Sequence, residues 1–119
     1  MAKAASDGYI DGGLDAIALS TILHVCSAQP ANFAGIAAVS LADVVIDGGD
    51  FTKANGDTSG RKVTIGAQAD VPIDNTGTAT HVVISDTTDI YVTTCTSQAL
   101  TSGGTVTVPA WDIEIADPV

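Results

Sequence analysis

The β-branched runs in this chain are short, and a cluster of glycine, asparagine, aspartate or serine closes almost every one. Arg61-Lys62-Val63-Thr64-Ile65-Gly66-Ala67 alternates and leads to the turn Asp74-Asn75-Thr76-Gly77. Ala79 to Ser85 is followed by the hairpin loop Asp86-Thr87-Thr88-Asp89 and by Ile90 to Cys95; Ser102-Gly103-Gly104 then turns the chain into Thr105 to Val108. The last run puts Trp111, Ile113 and Ile115 on one face and Asp112 and Glu114 on the other, as strand alternation requires. Earlier, Thr21 to Ser27 reads as a buried strand closed by Ala28-Gln29-Pro30, Val44-Val45-Ile46 as a short strand, and Phe51-Thr52-Lys53 as an edge strand. The count is about seven or eight strands at spacings of roughly 8 to 12 residues, the pattern of a β-sandwich or small barrel. Pro109 has no amide to give a ladder, so it marks an edge, a bulge or a strand switching sheets.

Composition agrees. Of fourteen acidic residues thirteen are Asp, and Glu, Lys, Arg and Gln, which clothe helix surfaces, are scarce. A length of 119 residues suits one domain with one core. The formal charge of -10 opposes nucleic-acid phosphate and anionic membranes alike, and no apolar run reaches bilayer-spanning length.

Residues 1–13 are small, polar and Gly-rich, and read as a flexible N-terminal arm before a domain at 14–119. Leu14, Ile17 and Ala18 fall at helical spacing and suggest about two turns of helix. Asn32 is placed to cap a second short helix through Phe33, Ala34, Ile36 and Ala37. The first residues lack the apolar core of a secretory signal, so synthesis in the cytosol is expected. Cys26 and Cys95 form no metal-binding spacing and are expected as buried free thiols in preference to a disulfide.

No catalytic, cofactor-binding or metal-ligating residue emerges. His24 and His81 both sit inside strands, and neither has a nucleophile and orienting acid at a recognisable spacing. The aspartates cluster in turns, where they accept from backbone amides. Asp47, Asp50, Asn55 and Asp57 offer hard oxygen ligands across a Gly-rich stretch, so calcium is a possible occupant, although neither the spacing nor a closing Glu matches an EF-hand. Trp111 is expected as a core plug with its indole N–H on a backbone partner. Tyr9 is the one aromatic of the arm, and it either docks onto another chain or folds back onto its own domain.

Four segments carry a resemblance: Val25-Cys26-Ser27-Ala28-Gln29-Pro30, Ser59-Gly60-Arg61-Lys62-Val63-Thr64, Thr76-Gly77-Thr78-Ala79-Thr80-His81 and residues 109–118. With them the chain, from about Leu14 onward, resembles a family of small proteins encoded by tailed bacteriophages and prophages. That resemblance implies a head decoration, or cement, protein of the virion that binds the major capsid protein and neighbouring copies of itself. The alternatives are a tail, tail-tube or fibre component, or a virion-displayed module for host surfaces or carbohydrate. The expected partner contacts are Lys3, Tyr9 and Ile10 in the arm, with Phe51, Lys53, Arg61 and Lys62 on and after the edge strand. No nucleic acid, membrane or cofactor is expected among the partners.

Overall fold

A computed structural model describes residues 6–116. Nine strands form there, in three sheets, with two α-helices in the first third: α1 (Asp7–Ile17), β1 (Ile22–Cys26), α2 (Ile36–Val39), β2 (Ser40–Val45), β3 (Phe51–Asn55), β4 (Arg61–Ile65), β5 (Gln68–Pro72), β6 (Gly77–Ser85), β7 (Ile90–Leu100), β8 (Thr105–Val108) and β9 (Trp111–Ile115). The four-stranded sheet runs β2-β1-β6-β7, the three-stranded one β3-β4-β9, and β5 pairs with β8. All named strand pairs are antiparallel. The sheets surround one core, and no sheet closes on itself, so the single β-domain is an open layered structure and not a barrel.

Leu23 and Val25 of β1, Val82 and Ile84 of β6, Val63 and Ile65 of β4, Val71, Val108 and Ile113 meet in that core with Leu14 of α1. A second cluster lies on the opposite face of the four-stranded sheet, where Ile36 of α2 covers Cys26 and Val83. Both faces of β6 are therefore buried near its end, and Val82 to Ser85 form a continuous buried run where a half-exposed strand would alternate. Asn32 caps the 3₁₀ turn before α2, its side chain accepting from the Gly35 amide at 2.9 Å, as expected.

Of the edge, bulge and strand switch that Pro109 allowed, the structure has the switch: β8 ends at Val108 on the β5 sheet, and β9 starts at Trp111 on the β4 sheet. β5 was not expected. It pairs through an irregular register in which Asp70 takes a positive φ of 55°, and so it lacks the alternation that reveals a strand. The loop after β3 is closed by the Gly56 amide on the Gly60 carbonyl at 2.9 Å. Gly60 sits at φ 69°, and a Cβ there would meet the Ile115 carbonyl at 2.0 Å, which fixes glycine at this position.

The arm expected over residues 1–13 is corrected over its second half. Residues 7–13 belong to α1, and Ile10 (6% exposed) and Leu14 (0%) pack inward one turn apart. Residues 1–5 of the arm, with Lys3, lie outside the described residues.

Candidate docking surface

α1 is fastened to the β3-β4 edge by charge as well as by apolar contact. Asp7, Asp11 and Asp15 recur every fourth residue and form one stripe of the helix. The Arg61 Nε donates to Asp11 at 2.9 Å, with both side chains about one-fifth exposed, and Lys53 pairs with Asp15. Arg61 also donates to the Asn55 side chain at 2.8 Å. Lys62 reaches Asp57 at 2.8 Å and Asp112 at 3.4 Å. These hydrogen bonds, more than the surrounding charge, hold all three cations protonated more firmly than usual. Every cation among the described residues is thus engaged by an acid of its own chain. Lys53, Arg61 and Lys62, expected as contacts for a partner, are each paired with an acid of their own chain.

The other expected contacts divide. Tyr9 is 87% exposed on the outer side of α1. Ile10 is in the core, and Phe51 is half-buried against it, so neither offers a free apolar face. The oxygens weighed for calcium are occupied by protein: Asp47 accepts from the Gly49 amide at 2.8 Å, Asp50 from the Asp47 amide at 2.9 Å, Asn55 from Arg61 and Asp57 from Lys62. Among the described residues, no group of three or more His, Cys, Asp or Glu side chains is arranged to hold a metal ion.

The histidines lie on the outer face of the four-stranded sheet. His24 Nδ1 is 2.9 Å from Ser40 Oγ, and His81 Nδ1 is 2.8 Å from Thr80 Oγ1. Burial lowers the His24 pKa, and the nearby Asp43 charge opposes that shift without cancelling it. In the β6–β7 hairpin the Asp86 carboxylate accepts from the Asp89 and Thr88 amides, which lowers its pKa.

The surface the sequence reading missed is β7. It is an edge strand paired only with β6 among the described residues, and from Thr94 to Ala99 it is exposed on both faces. Between the pairs Ala79↔Gln98 and His81↔Thr94, β6 supplies Thr80 alone while β7 supplies Cys95, Thr96 and Ser97, a bulge that leaves part of the β7 backbone without ladder partners. Two adjoining grooves of about 240 and 280 Å³ run between this bulge and the β8–Pro109–β9 segment, with Val82, Cys95, Val108 and Pro109 lining both. Trp111 borders the second groove; its ring centre is 6.0 Å from that of Tyr91. Trp111 is partly buried, and its indole Nε1 has no hydrogen-bond partner, in contrast to the expected core plug with a backbone acceptor. The thiols follow expectation in being free, and Cys26 in being buried, but Cys95 departs from it. Cys26 is buried, its pKa pushed up to about 11 by burial, whereas Cys95 is exposed; both are free.

The signal for this surface was present in the sequence. Residues 90–100 contain no charged side chain in a chain of net charge -10. Comparison with protein-family models, curated proteins and solved structures finds no match to this chain.

Proposed function

We propose that the chain is a structural protein of a bacteriophage virion, a capsid decoration protein that adheres to the assembled head and reinforces it. The observation that carries this reading is the distribution of charge: the described cations are consumed internally, while an uncharged strand edge and the Tyr9 ring face solvent. An acidic surface of this kind keeps free copies apart and away from the genome before assembly. Backbone edges and a few apolar side chains then supply contacts that are individually modest and add up by avidity over a lattice. The sequence resemblance points the same way.

Quantitative mass spectrometry of purified particles, and of heads and tails after dissociation, tests the proposal. A decoration protein is present in copies comparable to the major capsid protein and stays with DNA-filled heads. Recovery in a few copies with tails would replace this reading by the tail-component one, and absence from particles would remove the virion reading altogether.

A further inference from the structure

We infer that β7 is a self-association strand: two copies of this chain join edge to edge, antiparallel, about a two-fold axis at Cys95. This goes beyond the virion reading and does not depend on it. Three independent features carry it.

The first is the sequence of the strand. Cys95 is the midpoint of residues 90–100, and three of the five pairs about it match in kind, Thr94 with Thr96, Thr93 with Ser97 and Ile90 with Leu100, while Val92 meets Gln98 and Tyr91 meets Ala99. An antiparallel pairing centred on Cys95 therefore sets hydroxyl against hydroxyl beside the axis and apolar against apolar at both ends. Such cross-strand pairs are the favourable ones, and a two-fold interface presents each of them twice.

The second is unmet backbone valence. Among the described residues β7 has a strand partner, β6, on one side only, so its other edge carries unpaired N–H and C=O groups, and Thr94 to Ala99 are exposed. A bulge ordinarily blunts an edge against long flat pairing. Here it falls at the proposed axis itself and interrupts the ladder there, so the dimer is weak and populated by mass action at high local concentration.

The third is electrostatic. Two copies that each carry a charge of -10 repel over most of their surfaces. In the Cys95-centred register the acidic turn with Asp86 and Asp89 of one copy lies beside the uncharged turn 101–104 of the other. The two acidic turns are then roughly 40 Å or more apart along the strands, several Debye lengths at physiological salt. A parallel pairing would instead bring them together.

The experiment is cross-linking of the native protein with a short bismaleimide, combined with sedimentation. Cys26 is buried and leaves Cys95 as the reactive thiol. The control moves the thiol to the exposed hairpin tip in the double variant Cys95→Ser, Thr87→Cys. Cys95 should give covalent dimer about tenfold faster than that control or more. Cys95→Asp, which opposes two carboxylates at the axis, should sediment as monomer at concentrations where Cys95→Ser dimerises, with dimer affinity lowered about tenfold. Retained native circular dichroism in both variants ties the difference to the interface. Equal cross-linking rates at residues 95 and 87, or identical sedimentation of Cys95→Asp and Cys95→Ser, would overturn the inference.

Discussion

His24 is held neutral by partial burial beside Ser40, with Asp43 too weak a counterweight. A histidine whose folded pKa is below 6.5 binds its proton more readily when unfolded, so its contribution to stability is complete above pH 6.5 and is lost as pH falls through that value. Denaturant unfolding between pH 7.5 and pH 5.5 should show stability declining with acid, and His24→Gln should flatten the decline. The lowered carboxylates Asp86 and Asp112 act in a different window, near pH 4 and below. Trp111 offers a second residue-level test, because its indole N–H is buried without an acceptor. Trp111→Phe deletes that unmet donor along with some packing area, and the two effects oppose each other. The substitution should therefore change stability by less than about 1 kcal/mol, whereas a well-bonded indole would cost more. For the cysteines, a thiol reagent should find one group in the native protein and two after denaturation.

The helix α1 shows how local preference and tertiary packing can disagree. Three of its eleven residues are glycine, each worth about 1 kcal/mol less helix stability than alanine, so the segment reads as a loose arm in isolation. What holds it is Ile10 and Leu14 in the core and the Asp11–Arg61 and Asp15–Lys53 pairs. Gly12→Ala has open space around the new methyl and should stabilise the protein by about 0.5 to 1 kcal/mol in thermal or urea unfolding. The same change in a flexible arm would leave stability untouched. Leu14→Ala should cost about 2 to 5 kcal/mol, because the side chain is fully enclosed. Legibility in the sequence follows the same logic. β1, β4, β6, β8 and β9 were readable because their apolar residues recur at strand period or run together between turns, and the Asn32 cap and the Pro109 switch because their chemistry is local. β5 was hidden by its irregular register at Asp70, the second half of β7 by its lack of apolar alternation, and the first part of α1, before Leu14, by its glycines. The candidate docking surface was legible only in part: Tyr9 is exposed as a contact must be, but the fate of Lys53, Arg61 and Lys62 depends on which acids a fold brings near them, and spacing along a chain does not encode that.

At the scale of the whole molecule, charge sets the balance between staying apart and coming together. The domain is elongated, 54 × 25 × 24 Å, which spreads its acids over a large surface, but most of them have no cation nearby. Three cations account for four salt bridges among the described residues, all at least partly exposed, so added salt weakens little attraction and screens much repulsion. Stability should therefore rise with sodium chloride from low ionic strength to about 0.2 M, on the order of 1 kcal/mol or about 4 °C in midpoint. Asp11→Asn supplies the internal contrast: it deletes the partner of Arg61 and lowers stability, and its deficit should shrink as salt rises. The same screening governs association. If copies join through the uncharged β7 edge, salt removes the repulsion between the remaining acidic surfaces and leaves the strand contact intact, so sedimentation should show dimer increasing with salt. An interface built on ion pairs would respond with the opposite sign. Measuring midpoint and dimer fraction across one salt series thus separates an acidic domain that adheres through backbone and apolar contact from one that adheres through charge.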